Sequence, residues 1–279
     1  MGFFSNLEAR ARQTGSLLCI GLDPHLPDLP KPDAQSARDF CLRLIDATAD
    51  LAAAFKPNSG FFEVFGPQGM EVLLEVIQAI PKDIPVILDA KRGDIASTAQ
   101  AYAHAAFQTL SANAITLSPY LGYDSIQPFI SDSQRGVFLL CKTSNLGAAD
   151  FQDLMVTSLP ENLNASGSYP LYQVVAMLAQ VWNKADNLGL VVGATHPYAL
   201  EQVRRLAPDL WILAPGVGAQ GGDLGEALLA GLRGDGLGLL VPVSRGISRA
   251  SDPHQAAQDF SRHIQVETQR ILASRNQAG

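Results

Sequence analysis

Short apolar runs, each followed by turn residues and then a longer amphipathic stretch, recur along almost the whole chain and constrain its fold more than any other feature. Runs that are apolar throughout are typical of strands buried on both faces, as in a parallel sheet covered by helices. Eight runs have this character: residues 17–22, 53–56, 85–89, 114–117, 136–141, 189–194, 211–214 and 238–243. Eight such units predict a single (β/α)8 TIM barrel of the α/β class.

Amphipathic stretches separate the runs and are the expected outer helices, at residues 37–51, 69–80, 98–110, 171–184, 199–206, 223–232 and 254–273. An open doubly wound sheet uses the same local units, so periodicity alone does not exclude it. The length of 279 residues suits one barrel, which typically has about 250 residues. No linker, low-complexity tract or charge run divides the chain, and we expect residues 1–279 to form one domain.

One irregular stretch, at about 144–169, follows the fifth predicted strand and is rich in Gly, Pro and Asn. In a barrel, a loop at that point lies on the active-site face. Long loops in this position are often lids, so we expect an active-site loop insertion. A tolerated surface insertion is the alternative.

Composition narrows the class of partner. Hydrophobic residues make up 47% of the chain and charged residues 17%, which is typical of a folded globular protein. The net charge of −7 argues against nucleic-acid binding, which needs clustered Lys and Arg. No apolar run approaches the roughly 18 residues of a membrane-spanning helix, so no membrane partner is expected.

The expected location is the cytoplasm. The N-terminus lacks a basic segment followed by the long apolar stretch of a secretory signal. Three cysteines, Cys19, Cys41 and Cys141, form no C-x-x-C spacing, and we interpret them as reduced core residues.

A lysine flanked by carboxylates follows the third predicted strand, in the run Asp89-Ala90-Lys91-Arg92-Gly93-Asp94. Side chains two apart on a strand share a face, so Asp89 and Lys91 should point the same way. Nearby negative charge keeps a lysine protonated, and such a lysine can serve as a fixed cation or proton donor. A structural salt-bridge cluster at the strand end is the alternative.

Further polar residues follow the other predicted strands. Asp23 follows the first, Lys56 ends the second, Ser144 follows the fifth and Arg245 follows the eighth. In a barrel these positions share one rim, where enzymes of this fold build their active sites. Taken singly, Asp23 or Ser144 could equally be a helix cap or a loop hydrogen-bonder.

A glycine-rich loop follows the seventh predicted strand and contains a formal G-x-G-x-x-G at Gly216, Gly218 and Gly221. Its late position argues against a dinucleotide fold, and so does Val241, which stands where an acidic residue would hold a ribose. Barrels commonly bind phosphate with the loops after the seventh and eighth strands. Phosphate binding, with Arg245 supplying a charge-assisted contact, is therefore the better interpretation.

The five histidines carry no metal-site signature. His25, His104, His196, His254 and His263 show neither H-x-H nor H-E-x-x-H spacing. His25 and His196 lie near predicted rim positions, but a lone histidine is more often a hydrogen-bonded structural residue.

Taken in order, these motifs resemble the orotidine 5'-monophosphate decarboxylase family, and more closely its longer bacterial type (type 2). The resemblance covers nearly the entire predicted barrel and rests on Leu18 to Pro24, Phe55 to Asn58, Asp89 to Asp94, Lys142 to Asn145, Ala214 to Gly222 and Val243 to Ile247. Several ordered motifs together are specific, whereas Asp-x-Lys-x-x-Asp alone is weak.

The resemblance implies decarboxylation of orotidine 5'-monophosphate to UMP and CO2 in pyrimidine biosynthesis, with no metal, flavin or pyridoxal cofactor. It implies that Lys91 donates a proton to C6 of the pyrimidine and that Asp89 lies against the substrate carboxylate. It also implies a homodimer, in which Asp94 and Thr98 reach the site of the neighbouring subunit.

The same matching assigns the substrate-binding residues. It implies that Asp23 and Lys56 bind the ribose hydroxyls and that Ser144 contacts the base. The phosphate would be held by Gln220, Gly221, Gly222 and Arg245, the two glycines through their amides.

Two other functions fit parts of the pattern. A related barrel enzyme acting on a sugar phosphate shares Asp-x-Lys-x-x-Asp but uses Mg²⁺, and Glu63 is the main spare carboxylate for such a metal. A catalytically silent barrel that only binds phosphorylated nucleotides is the second. Binding alone does not require Lys91 between two acids, and this disfavours the silent barrel.

Overall fold

The computed structural model describes residues 2–163, 165–218 and 221–278. Its strands in chain order are β1 (Leu18–Leu22), β2 (Ala54–Pro57), β3 (Ile87–Arg92), β4 (Ala114–Leu117), β5 (Gly136–Lys142), β6 (Met155–Val156), β7 (Tyr169–Pro170), β8 (Leu188–Val192), β9 (Ile212–Leu213) and β10 (Leu239–Val243). The strands β6 and β7 form a separate antiparallel hairpin.

The other eight strands confirm the predicted barrel. They pair in parallel in the order β2-β1-β10-β9-β8-β5-β4-β3. Parallel bridges from Phe55 to Val86 and from Asn58 to Asp89 join the two ends of this order, so the sheet closes on itself. The open doubly wound alternative is wrong. Each predicted apolar run overlaps one barrel strand.

Helices cover the outside of the barrel and its amino-terminal end. They are α1 (Phe3–Thr14), α2 (Ala34–Thr48), α3 (Gly60–Glu63), α4 (Gly66–Ala79), α5 (Ala96–His104), α6 (Tyr123–Ile130), α7 (Ala149–Gln152), α8 (Leu171–Trp182), α9 (Pro197–Leu206), α10 (Leu224–Gly231), α11 (Arg245–Ser248) and α12 (Pro253–Ala278). All seven predicted amphipathic stretches are largely helical. A π-helical turn, Ala105–Thr109, continues α5.

The first helix packs beneath the amino-terminal ends of the barrel strands. Phe4 contacts the rings of Phe138 and Trp211, with ring centroids 5.5 and 6.2 Å away. Gly136 begins β5 directly under Phe3, where a Cβ atom would lie 2.2 Å from the ring. This layer of aromatic side chains closes the end of the barrel opposite the carboxyl ends of the strands.

The three cysteines are buried and unpaired, as predicted. Burial raises the pKa of the Cys19 thiol to about 12, and it raises the pKa of the other two thiols as well. Among the described residues, no helix is both long enough and apolar enough to cross a membrane.

Candidate active site

A cavity of about 650 Å³ opens at the carboxyl ends of the barrel strands. Six of the predicted site residues line it: Asp23, Lys56, Asp89, Lys91, Ser144 and Arg245. They come from five separate strand ends, and closure of the barrel brings them together. The predicted rim is therefore a real concave site of the size that takes a small molecule.

Asp89 is the centre of the charge network in this cavity. Its Oδ2 accepts a hydrogen bond from Lys56 Nζ at 2.9 Å, and its Oδ1 accepts one from Lys91 Nζ at 2.5 Å. A third donor, the hydroxyl of Thr116 on β4, reaches Oδ1 at 3.0 Å. One carboxylate thus fixes two ammonium groups that come from neighbouring strands.

The two buried members of this network hold each other in the charged state. Burial alone would raise the pKa of Asp89, but the positive charges of Lys56 and Lys91 outweigh it and hold that pKa well below its usual range. Burial alone would lower the pKa of Lys56, but the carboxylates of Asp89 and Asp23 outweigh it and raise that pKa.

Lys91 differs from Lys56 in its exposure to the cavity. The side chain of Lys91 is 49% exposed, whereas that of Lys56 is 9% exposed. Lys91 therefore offers its ammonium group to the cavity while Asp89 holds it in place. The arrangement favours the functional interpretation of the Asp89 and Lys91 pair.

The backbone at this point departs from a regular strand. The pairing of β3 with β4 shifts between Leu88 and Arg92, so the intervening residues of β3 lie outside the regular ladder. Lys91 adopts a left-handed conformation with φ of 47°, which costs a non-glycine residue about 1–2 kcal/mol. Its amide donates to the hydroxyl of Thr116 at 2.9 Å.

On the β1 side of the cavity, Asp23 and Ser244 have polar atoms that are buried without a hydrogen-bond partner among the described residues, namely Asp23 Oδ1 and Ser244 Oγ. Gly21 allows Ser244 to lie close to β1, because a Cβ at position 21 would lie 2.7 Å from the Cβ of Ser244. Unpartnered buried oxygens are costly unless a ligand or water satisfies them. These atoms are therefore suited to contact a polar ligand.

Arg245 lies at the start of α11 and lines the cavity. Its guanidinium group has no hydrogen bond or ion pair with another described residue. The neighbouring Arg249, in contrast, pairs with Asp28 at 3.0 Å. Arg245 is thus a cation available to an anionic ligand.

The glycine-rich loop after β9 is folded on itself. The amide of Gly221 donates to the carbonyl of Gly218 at 2.8 Å, and the amide of Gly222 donates to the carbonyl of Gly216 at 3.0 Å. The two amides predicted to hold phosphate are therefore used inside the loop in this structure. Gln220, the third predicted phosphate ligand from this loop, lies outside the described residues.

Asp94 and Thr98 do not line the cavity of their own chain. The carboxylate of Asp94 accepts a hydrogen bond from the amide of Ile95 at 2.8 Å, and Thr98 is exposed on α5. Exposed apolar side chains are present in the same part of the chain, namely Ile95, Tyr102, Tyr120, Leu121 and Tyr123. The contribution of Asp94 and Thr98 to a site across a subunit interface stays a prediction.

The irregular segment after β5 is tied to the cavity wall at its start. Gln152 on α7 accepts from the amide of Thr143 at 2.9 Å and donates to its hydroxyl at 2.8 Å. Lys142, at the end of β5, pairs with Asp153 at 2.6 Å. Gln152 itself lines the cavity, and the sequence carried no signal that singled it out.

Glu63, the spare carboxylate considered for a metal, already forms an ion pair. Its carboxylate pairs with Arg92 at 2.5 Å, and the Arg92 guanidinium lies 5.3 Å from the centroid of the Tyr102 ring. Among the described residues, no group of three or more His, Cys, Asp or Glu side chains is arranged to hold a metal ion. The geometry gives no support to the Mg²⁺ site of the sugar-phosphate alternative.

Comparison with known proteins gives a consistent result. Residues 16–260 match the model of the orotidine 5'-phosphate decarboxylase / HUMPS family. An orotidine 5'-phosphate decarboxylase from Roseiflexus castenholzii (strain DSM 13941 / HLO8) is 50% identical over 251 residues, which cover 88% of this chain and 89% of that protein.

Solved structures agree in fold as well as in sequence. The OMP decarboxylase of Leishmania donovani is 49% identical, with a TM-score of 0.86, and the match covers 96% of this chain and 99% of that one. The UMP synthase of the same organism is 52% identical with a TM-score of 0.88, and the match covers 96% of this chain and 57% of that longer one.

Proposed function

The chain belongs to the orotidine 5'-phosphate decarboxylase / HUMPS family, and we propose that Lys91 is the proton donor of its reaction. That reaction is the decarboxylation of orotidine 5'-monophosphate to UMP and CO2 in pyrimidine biosynthesis. The observation that carries the proposal is the half-exposed Lys91 ammonium, fixed by Asp89 at 2.5 Å inside the cavity.

The chemistry requires a fixed positive charge. When the bond between C6 and the carboxylate breaks, CO2 leaves and the electron pair stays on C6 in an orbital with no ordinary electron sink. A preorganised ammonium group stabilises that charge as it develops and then transfers its proton to C6. Lys91 becomes neutral in this step, and UMP is the product.

Asp89 has two roles in this proposal. It orients the ammonium groups of Lys56 and Lys91, as the hydrogen bonds above support. It also lies against the substrate carboxylate, where the repulsion between two anions is relieved when CO2 leaves.

The rest of the cavity binds the nucleotide. Asp23 and Lys56 contact the ribose hydroxyls, and Ser144 contacts the base. Arg245 holds the phosphate together with Gln220 and the amides of Gly221 and Gly222. To do so, the two amides give up their hydrogen bonds to carbonyl groups of the loop and donate to phosphate oxygens instead. Support comes from the unpartnered Asp23 oxygen and from the unpaired Arg245 guanidinium.

The test is the Lys91→Ala variant in an assay that follows the loss of orotidine 5'-monophosphate absorbance. Removal of a fixed acid and cation should lower the rate by about 10⁴-fold or more while the fold stays intact. Lys82→Ala, an exposed lysine outside the cavity, is the matched control. A Lys91→Ala variant that keeps turnover within about tenfold of the wild type contradicts the proposal.

We also propose a homodimer in which Asp94 and Thr98 complete the site of the partner subunit. The exposed apolar side chains of this region, Ile95, Tyr102, Tyr120, Leu121 and Tyr123, support an interface there. Mixing Lys91→Ala with Asp94→Asn chains tests it, because a mixed dimer then contains one intact site. By symmetry the mixture should recover about a quarter of the wild-type activity. No recovery, with subunit exchange demonstrated, contradicts this arrangement.

A cytoplasmic location is part of the same proposal. Three unpaired, buried cysteines support it, since a reducing compartment leaves thiols unpaired. Fractionation of cells that produce the protein would contradict it by recovering the activity outside the cytoplasm.

A further inference from the structure

The hydroxyl of Thr116 joins the two residues that the proposed mechanism depends on. Thr116 is buried on β4, with 1% of its surface exposed. Its Oγ1 donates to Asp89 Oδ1 at 3.0 Å and accepts from the amide of Lys91 at 2.9 Å. A hydroxyl has one proton to donate, and here that proton is directed at the carboxylate that holds the Lys91 ammonium.

The position of this hydroxyl follows from the irregularity of β3. Regular pairing with β4 ends at Leu88 and resumes at Arg92, so the amide of Lys91 has no ladder carbonyl opposite it. The side chain of Thr116 supplies the missing acceptor. It therefore stabilises the left-handed conformation of Lys91, whose φ is 47°.

We propose that Thr116 is a positioning residue for decarboxylation, which fixes Asp89 and the Lys91 backbone so that the ammonium group is aimed at C6. This inference rests on the proposed role of Lys91. Thr116 lines the cavity, but the protein uses its only proton and one of its two acceptor positions, so in this proposal it acts through Asp89 and Lys91.

Thr116→Val removes the hydroxyl and keeps the shape of the side chain. The expected result is a fall in kcat of about 10- to 100-fold, the effect of losing a hydrogen bond to a charged group, with KM and the Kd for UMP unchanged within about twofold. Thr116→Ser should restore kcat to within about threefold of the wild type, since it retains the donor.

Thr48→Val is the matched control. Thr48 is also fully buried, and its hydroxyl donates to the carbonyl of Leu44 at 2.6 Å on α2, away from the cavity. This variant should lose stability without a change in kcat. If Thr116→Val does not fold, Thr116→Cys replaces it, because a thiol of similar size is a much weaker donor.

Three results would overturn the inference. They are a Thr116→Val kcat within twofold of the wild type, a rise in KM with kcat unchanged, and an equal loss in Thr116→Ser. The Lys91→Ala experiment separates this outcome from failure of the mechanism. Full activity in Lys91→Ala would contradict the role of Lys91 as proton donor. Full activity in Thr116→Val alone would contradict only the positioning role of Thr116.

Discussion

At the ends of β2 and β3, Asp89 forms ion pairs with Lys56 and Lys91, whereas Arg245, after β10, has no ion pair with a described residue. Both regions line the same cavity, separated around the barrel by β1. The first region places charges where the protein alone determines their geometry. In the second region, the Arg245 guanidinium group is available to pair with a bound anion. In the proposed function, preorganisation is thus concentrated at the proposed reaction centre, and binding capacity at the proposed phosphate position.

Replacement of Asp89 by Asn should give the largest effect on this comparison. It leaves two ammonium groups close together without their shared counter-charge, one of them buried. We expect a fall in kcat of about 10³-fold and a loss of about 3 kcal/mol in the free energy of unfolding. Steady-state kinetics and urea denaturation measure the two quantities.

Asp83→Asn is the control for that experiment. Asp83 pairs with Arg10 at 3.0 Å, but its side chain is 64% exposed, so its loss should cost less than about 1 kcal/mol and leave kcat unchanged. Equal losses of stability in the two variants would show that the Asp89 network is no more important than a surface pair.

Arg245→Ala should affect binding rather than the chemical step. Loss of a charge-assisted contact to phosphate is expected to raise the Kd for UMP by about 10- to 100-fold and to leave the Kd for uridine, which has no phosphate, unchanged. Calorimetric titration with both ligands makes the comparison. Arg249→Ala, which removes the neighbour paired with Asp28, should change neither affinity. An equal loss of affinity for uridine would contradict the proposal that Arg245 contacts only the phosphate.

The acid limit of stability should depend on the network at β3. Because the pKa of Asp89 is lower in the folded state, its contribution to stability is present above the unfolded pKa of about 4 and is lost as pH falls below it. The free energy of unfolding of the wild type should therefore fall more steeply below about pH 4 than that of Asp89→Asn. Urea unfolding across pH 2.5–7 checks this, and parallel curves would contradict it.

Gly218→Ala should give the smallest effect. Gly218 has φ of 72° and open space where a Cβ would lie, so the substitution adds backbone strain of about 1 kcal/mol without a clash. Gly66→Ala is matched, with φ of 64° and equally open space. Both variants should lose similar stability in urea. The Kd for UMP should rise a few-fold only in Gly218→Ala. An equal rise in both variants would contradict the proposed role of the glycine-rich loop in phosphate binding.

Much of the barrel could be predicted from sequence because its strands are buried on both faces. The predicted run at 114–117 coincides with β4, since nothing interrupts its burial. The predicted run at 85–89 ends three residues before β3 does, because the chain continues through a bulge that polar residues occupy. A hydrophobic pattern indicates which residues are buried. It does not indicate where an irregular strand resumes pairing with its neighbour, as β3 does at Arg92.

Five helices in the described part of the chain have no counterpart among the predicted stretches, namely the four-residue helices α3, α7 and α11 and the longer α1 and α6. The two longer ones differ in the reason. The helix α6 contains Pro128, which removes a backbone donor and weakens the helical pattern. The helix α1 buries Phe3, Phe4 and Leu7 beneath the barrel and precedes the first repeating unit. A helix that closes the barrel adds to the eight repeating units, so their count gave no reason to expect it.

The site shows a similar division. Six predicted residues line the cavity because positions after barrel strands converge whatever their identity. Thr116 was missed, although a lone hydroxyl in the apolar run 114–117 was a usable signal. The left-handed backbone of Lys91 and the internal hydrogen bonds of the Gly221 and Gly222 amides depend on tertiary contacts, which no local pattern encodes.

The buried state of Cys19, Cys41 and Cys141 has a practical consequence. Thiolates are the reactive form of cysteine, and these thiols are both inaccessible and hard to ionise near neutral pH. A single cysteine introduced at the exposed Leu146 would therefore take up a maleimide dye selectively in the otherwise unaltered protein. Fluorescence from that position would show whether the segment beside the cavity moves during turnover, without prior removal of native cysteines.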